Sequence, residues 1–437
     1  MNNKHLNELF EFLSIPSISA QSEYKKDIKQ ACSWLEKKLK KLDFEVDIIK
    51  TKGQPLIYAE RFLNKEFPTV LVYGHYDVQS PDPLEEWSSN PFKPEVRSGN
   101  IYARGASDDK GQLFTWIAAT EDLGEKCELN LKFIIEGEEE VGSENFDDFV
   151  HDNKALLSAD ICVISDSHAI SPTQPLISYG LRGIAYFEVS VETMPKDVHS
   201  GIYGGNVANP AIILSQIISK MKSEDGKINI NGIYKDVRKL TGHERALLSK
   251  LPFGEKEVLK ETGAIDVLGE SGFSVHERAG ARPALDVNGI WAGYTLEGQK
   301  TIIPGAAHAK ISMRLVPDQD PYEIEKNFRK FVSDSTPAYA KSKVKTLSLN
   351  KPVIMDIKNS YFKKAEKALT KVFGSKPIYE LSGGTIGAAS AIKNILGIDS
   401  ILMGYGLPDD GLHSPNEKLS LEMFEKGINA NKIFLFG

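Results

Sequence analysis

The apolar segments of this 437-residue chain change periodicity twice, and that change constrains the fold more than any other feature. Up to about residue 182, strand-like runs such as TVLVYG, LNLKFII and ICVI alternate with segments of helical periodicity. Strands that alternate with helices are typical of an α/β domain with a mainly parallel sheet. Between residues 183 and 349 the pattern differs, and from about residue 350 the first pattern returns. The sequence therefore predicts one α/β domain from residues 1–182 and 350–437, with residues 183–349 inserted as a second domain.

The inserted segment has strands with one wet face. In AYFEVSVE, Phe187, Val189 and Val191 lie on one side and polar residues on the other, and AHAKISMRLV alternates in the same way. Such alternation is typical of an antiparallel sheet. With helices expected over 208–222 and 321–334, the two strand–helix–strand passes predict an α+β (ferredoxin-like) domain.

Composition and charge exclude some classes of function. The chain has 53 Lys and Arg against 60 Asp and Glu, a net charge of −7, which argues against nucleic acid as a partner. Its three cysteines are far apart and form no CxxC motif, as expected in a reducing compartment. No apolar run approaches the roughly 18 residues of a membrane span, and the N-terminus lacks a basic segment followed by an apolar one. These features predict a cytoplasmic protein with no membrane partner.

Histidine and carboxylate residues recur where the predicted strands of the first domain end. His75 and Asp77 close one strand, Asp108 follows another, residues 138–140 are consecutive glutamates after LNLKFII, and Asp166 ends ICVISD. Ligands collect at the carboxyl ends of parallel strands. Zinc binds histidine and carboxylate, and bridging carboxylates suit two ions about 3.5–4 Å apart. Bound cations would also compensate the glutamate run.

Each of these features also has an ordinary interpretation. A lone histidine at a strand end is commonly a structural or surface residue. The segment SDDKG is typical of a helix N-terminus, and a glutamate run is commonly a solvated turn. The recurrence at several strand ends of one domain favours the metal-site hypothesis.

The ordered segments GHYDV, ARGASDDKG, EGEEEVGS, ISDSH, DVHSG, SMRLVPD, SGGTIG and GLHSPNE resemble the dinuclear-zinc metallopeptidases of the carnosinase, carboxypeptidase-G and aminoacylase type. YGLRGIAYF and HSGIYGGNV are most similar to the cytosolic carnosinase-like dipeptidases. The resemblance implies a zinc-peptidase catalytic domain, an inserted lid or dimerisation domain, and two divalent ions: zinc first, with manganese or cobalt as alternatives. Glu138 has no role in the matched pattern.

The resemblance also implies the metal ligands. His75 and Asp166 would hold one ion, Glu140 and His413 would hold the second, and Asp108 would bridge both.

Further residues of the first domain would support the reaction. Glu139 would act as the general base on a water that bridges the two zinc ions. Asp77 would hydrogen-bond to the imidazole of His75. The resemblance further implies a cis peptide bond between Asp108 and Asp109.

The remaining residues would bind substrate. His199 would stabilise the oxyanion in the active site of the other subunit, which implies a homodimer formed by the inserted domain; from the residues alone it is equally a capping or loop histidine. Arg314 is on the polar face of its strand, and is either a solvated arginine or a bidentate clamp on the substrate's terminal carboxylate. Gly384 and Thr385 would contact the same substrate, although related dipeptidases often have a serine followed by proline in this loop, where this chain has Thr385, Ile386 and Gly387.

The expected activity is that of a metallo-exopeptidase, which hydrolyses an amide bond in dipeptides or short peptides with a free C-terminal carboxylate. An N-acyl-amino-acid deacylase with the same dinuclear site is the alternative. A silent peptide-binding homologue is disfavoured, because the ligands and the base are all present.

Overall fold

The computed structural model describes residues 3–436. Its strands are, in chain order, β1 Glu45–Ile49, β2 Leu56–Arg61, β3 Thr69–His75, β4 Glu95–Arg97, β5 Asn100–Tyr102, β6 Asn130–Glu136, β7 Ile161–Ile164, β8 Leu176–Leu181, β9 Gly183–Glu192, β10 Val198–His199, β11 Ala284–Ala292, β12 Ile302–Ile303, β13 Ala306–Leu315, β14 Lys341–Asn350, β15 Val353–Ile354, β16 Ile378–Ser382, β17 Ser400–Leu402 and β18 Lys418–Ser420. Its α-helices are α1 Asn3–Leu13, α2 Lys25–Lys40, α3 Lys110–Leu123, α4 Phe146–Asp152, α5 Ser200–Tyr203, α6 Pro210–Met221, α7 Gly242–Leu248, α8 Glu255–Thr262, α9 Val275–Ala281, α10 Pro321–Ser335, α11 Ser360–Phe373, α12 Gly387–Ala391 and α13 Leu421–Phe436.

The chain forms two compact units. The first contains the described residues up to Tyr179, Met355–Tyr379 and those from Ile386 onward, and the second contains Gly180–Ile354 and Glu380–Thr385. The main crossings lie within a few residues of the predicted limits at 182 and 350. Residues 380–385 belong to the second unit, whereas the sequence placed them in the first domain.

A sheet with a parallel centre organises the first unit. The four central strands β6, β3, β7 and β17 are parallel to one another. On one side β2 and β1 continue the sheet in antiparallel fashion, and on the other side β17 pairs antiparallel with β8. Every residue of β6 and β7 is buried, which explains why Leu, Ile, Val and Phe predominate in these strands. The predicted α/β class is confirmed, with antiparallel pairs at the margins of a parallel centre.

The second unit is built on an antiparallel sheet of four strands in the order β11-β13-β9-β14. The alternating residues Phe187, Val189 and Val191 are fully buried in its core, together with residues of α6 and α10. The residues that alternate with them along β9 are partly exposed, as the pattern of one apolar and one polar face predicted. The segment 223–282 contains three short helices, α7 to α9.

Two further sequence features can be compared with the structure. Cys32, Cys127 and Cys162 are free and buried. Among residues 3–436, no helix combines the length and apolar character that crossing a membrane requires.

Candidate active site

The first group of possible metal ligands joins the ends of two parallel strands. His75 is the last residue of β3, and Asp166 follows β7 by two residues. The His75 Nε2 atom lies 3.0 Å from Asp108 Oδ1 and 3.9 Å from Asp166 Oδ2. One donor atom from each of the three residues lies within 4.8 Å of the other two. This spacing suits a single ion held by one imidazole and two carboxylates.

The second group shares Asp108 with the first. His413 Nε2 lies 2.9 Å from Asp108 Oδ2 and 3.1 Å from Glu140 Oε2, and the three donor atoms again fall within 4.8 Å of one another. Glu140 lies in a short 3-10 helix after β6, and its Oε1 atom is buried with no hydrogen-bond partner in the described part of the chain. An acceptor left without a donor is what a ligand awaiting a cation would present.

The two oxygens of Asp108 face different groups. Oδ1 contacts His75 and Oδ2 contacts His413, the arrangement that a bridging carboxylate requires. The peptide bond from Asp108 to Asp109 is cis, as the resemblance implied. The expectation that Asp108 lies at a strand end of the main sheet is wrong. It lies in the loop before α3, and the preceding strand β5 belongs to a separate three-stranded sheet with β4 and β18.

The electrostatics of these side chains favour cations. Burial, followed by the charge of Asp108, raises the pKa of Asp166 to about 7. Hydrogen bonds to Asp108 and Glu140 raise the pKa of His413 to about 10. Burial raises the pKa of Glu139 to about 9. Carboxylates that resist ionisation together are stabilised as anions when divalent ions are bound, so the residues fit the implied metals.

A third cluster with ligand-type side chains does not fit a metal. His5, Glu8 and Glu121 lie close together at the start of the chain and on α3. The ammonium group of Lys38 lies 2.7 Å from Glu8 and 2.8 Å from Glu121, and that of Lys4 lies 2.5 Å from Glu121, so two cations already pair with the two carboxylates.

Asp77 contacts residues of both ligand groups. It is fully buried, and its carboxylate accepts the backbone N–H groups of Glu139 at 3.3 Å and Glu140 at 3.2 Å. The His75 Nδ1 atom lies 3.1 Å from the backbone oxygen of Asp77 and 3.4 Å from its carboxylate. The imidazole therefore contacts Asp77 as predicted, but mainly through the main chain, and the carboxylate also supports the glutamate segment.

Glu138 points to different partners from its two neighbours. Its carboxylate accepts a hydrogen bond from Asn145 at 2.7 Å, and a side chain on Gly53 would collide with it. Within residues 3–436, neither Glu138 nor Glu139 belongs to either of the two ligand groups.

In the second unit, His199 is exposed and caps α5. Its Nδ1 atom accepts the backbone N–H of Gly201 at 3.0 Å, so the capping interpretation is correct in structural terms. Because Nδ1 accepts, the neutral ring carries its proton on Nε2, which leaves that nitrogen as a donor.

Arg314 contacts the segment of the second unit that carries Gly384 and Thr385, two other predicted substrate-binding residues. Arg314 Nη1 donates to the Thr385 hydroxyl at 3.0 Å, and this hydroxyl donates to the backbone oxygen of Arg182 at 2.7 Å. The Gly384 N–H donates to the Ser382 hydroxyl at 3.2 Å. Thr385 and Gly384 thus already have internal partners, while Arg314 has further N–H groups for a ligand.

Comparison with known proteins identifies the family. Residues 71–435 match the sequence profile of Peptidase family M20/M25/M40. The chain belongs to this family. It is therefore a peptidase, a hydrolase of amide bonds.

Several relatives of this M20/M25/M40 peptidase are known. The Cys-Gly metallodipeptidase of Saccharomyces cerevisiae is 30% identical, over 98% of this chain and 94% of that protein. The human Beta-Ala-His dipeptidase is 32% identical, over 87% of this chain and 76% of that protein. An M20 family metallo-carboxypeptidase from Sulfolobus solfataricus superposes with a TM-score of 0.90 at 33% identity, over 100% of this chain and 99% of that chain.

Two residues of this M20/M25/M40 peptidase were missed by the sequence reasoning. Arg182, in YGLRG, lies near Arg314, and burial followed by the charge of Arg314 lowers its pKa to about 10. Glu417, in GLHSPNE, is completely buried behind Asp108. Both lie in segments that carry the family resemblance, but the sequence gives no signal that Glu417, a charged residue in a polar loop, is buried.

Proposed function

We propose that this M20/M25/M40 peptidase hydrolyses dipeptides or short peptides with a free C-terminal carboxylate, using two divalent metal ions, with zinc as the first candidate and manganese or cobalt as alternatives. The observation that carries the proposal is the pair of ligand groups that share Asp108, one through each carboxylate oxygen.

The protein's own residues have separate tasks in this reaction. His75 and Asp166 would hold one ion, Glu140 and His413 the other, and Asp108 both. When bound, the ions would supply an acidified water and polarise the scissile carbonyl.

Proton transfer falls to Glu139. It lies next to the ligand Glu140, is itself in neither ligand group, and its backbone is held by Asp77. Glu139 would accept a proton from the attacking water and then donate it to the leaving amine. Asp77 would keep Glu139 and the His75 ring in position.

Substrate recognition falls to the second unit. His199 presents its Nε2 donor because Nδ1 is engaged by Gly201, and a donor of this type stabilises the oxyanion of the tetrahedral intermediate. Arg314 would bind the substrate's terminal carboxylate, with Thr385 and Gly384 completing the contact.

The substrate class is supported by the names of the relatives. One is a Cys-Gly metallodipeptidase, another a Beta-Ala-His dipeptidase and a third a metallo-carboxypeptidase, and these substrates share a free carboxylate.

A homodimer through the inserted unit is part of the proposal. Three apolar residues on its surface support it: Ile212 on α6 is 58% exposed, and Ile290 and Trp291 on the edge strand β11 are 56% and 40% exposed. Exposed apolar groups are available for contact with a second chain. Light scattering of the purified protein should give the mass of two chains, and a monomer at micromolar concentration would contradict the dimer.

One experiment tests the activity. The purified protein is analysed for metal and assayed with dipeptides and N-acyl amino acids, with and without a chelator. We expect dipeptide turnover that disappears on chelation and returns with Zn²⁺, Mn²⁺ or Co²⁺. Turnover that survives full metal removal would refute the metal mechanism. Turnover of N-acyl amino acids alone would identify the deacylase instead.

A further inference from the structure

A buried ion pair lies directly behind the proposed metal ligands. The Arg104 guanidinium lies 2.6 Å from the Glu417 carboxylate, and both side chains are almost completely inaccessible, at 1% and 0% exposure. Neither residue belongs to a ligand group among the described residues.

Glu417 is bonded to the main chain of the loop that carries Asp108. One carboxylate oxygen accepts the N–H groups of Ser107 at 2.9 Å and Asp108 at 3.0 Å, and the other accepts the N–H of Gly105 at 3.0 Å besides Arg104. Four donors satisfy this carboxylate fully. Its bonds to the main chain hold the backbone in place up to Asp108.

Arg104 extends the same contact to two other segments. Its Nη2 donates to the backbone oxygen of Ser414, the residue after His413, and to that of Ser80, both at 3.3 Å. Ser80 follows Gln79, whose side chain donates to the Glu140 carboxylate at 3.1 Å. The pair therefore contacts the Asp108 and His413 loops directly and the Glu140 segment through Gln79.

The desolvation free energy of a buried ion pair suggests that this pair has a role other than stability. A buried ion pair adds little net stability, because desolvation of both charges offsets their attraction. A pair that joins three ligand-bearing segments can instead fix their relative positions, and outer contacts of this kind orient metal ligands.

We propose that Arg104 and Glu417 are positioning residues that set the distance between Asp108 and His413, and so determine the affinity of the second ligand group for its divalent ion. This inference rests on the proposed metal site. It assigns the pair no contact with metal or substrate.

The test is the affinity for Zn²⁺, measured on folded protein by competition with a chromophoric chelator. In Glu417→Gln, the new amide N–H₂ faces backbone N–H groups, so the loop must shift, and we expect at least one of the two Zn²⁺ dissociation constants to rise about 10–100-fold. Arg104→Lys keeps the charge but loses the bonds to Ser80 and Ser414. It should raise the same constant about tenfold, and it serves as the test if Glu417→Gln does not fold.

Glu270→Gln is the matched control. Glu270 is also buried, at 9% exposure, and pairs with Arg282 through two hydrogen bonds in the second unit. It should lower the unfolding temperature without changing Zn²⁺ affinity. Wild-type affinity in either Glu417→Gln or Arg104→Lys would overturn the inference, and so would an equal loss in the control. A wild-type protein that binds no Zn²⁺, Mn²⁺ or Co²⁺ would refute the proposed function itself.

Discussion

Replacing Asp77 with asparagine tests how the ligands are held without removing any of them. The carboxylate accepts two backbone N–H groups, from Glu139 at 3.3 Å and Glu140 at 3.2 Å, in a fully buried position. Asparagine keeps one oxygen and turns an N–H₂ group toward the other donor, so one buried N–H loses its acceptor. Charged hydrogen bonds of this type contribute about 1.5–3 kcal/mol, and the long N···O distances of 3.3 and 3.2 Å place the loss at about 2 kcal/mol.

The glutamate segment can recover part of this energy by moving away from position 77, which carries Glu140 away from Asp108 and His413. We expect Asp77→Asn to weaken Zn²⁺ binding about 10–100-fold, measured by chelator competition, and to lower turnover with it. Asp160→Asn is the control, because Asp160 accepts the Thr69 N–H at 2.7 Å at the opposite, exposed end of β3. Unchanged Zn²⁺ affinity in Asp77→Asn, or an equal change in Asp160→Asn, would refute the reasoning.

Three other substitutions separate the proposed roles. Glu139→Gln should reduce kcat about 10²–10⁴-fold while metal content stays at the wild-type level. The control Glu138→Gln, at the neighbouring position, should leave kcat nearly unchanged. Wild-type turnover in Glu139→Gln would make the base assignment wrong. Arg314→Lys should raise KM for dipeptides about tenfold or more, because lysine cannot form the bidentate pair with a carboxylate. The control Lys310→Gln, on the same strand, should leave KM unchanged. A wild-type KM in Arg314→Lys would refute the role of Arg314 as a carboxylate clamp. His199→Ala should lower kcat about 10²–10³-fold with metal content intact, and a change in KM alone would argue against an oxyanion role.

The α/β pattern of the first unit and the wet-faced strands of the second were predictable because each depends on local periodicity. Phe187 and its alternate neighbours are buried for the reason that their spacing indicated. The limits near 182 and 350 were predicted from the same changes of periodicity. The place of residues 380–385 in the second unit could not be predicted, because it depends on contacts between distant segments, such as the hydrogen bond from Arg182 to the Gly383 oxygen.

The convergence of the predicted ligand residues follows in part from the sequence, but the contacts that hold them do not. His75 ends β3, Glu140 follows β6 and Asp166 follows β7, and the carboxyl ends of these parallel strands bring the three residues together. Asp108 does not follow such a strand. Its position depends on a loop bonded to Glu417, a residue 309 positions along the chain, and no local pattern contains that pairing.

The number of metal ions bound per chain tests the central claim most directly. Because Asp108 offers one oxygen to each ligand group, the wild-type protein should bind two Zn²⁺ ions, and Asp108→Ala should weaken both. Asp166→Ala should weaken only one, because it belongs to a single group. A wild-type protein that binds a single ion, or an Asp108→Ala variant that keeps one site at full affinity, would contradict the shared-carboxylate site.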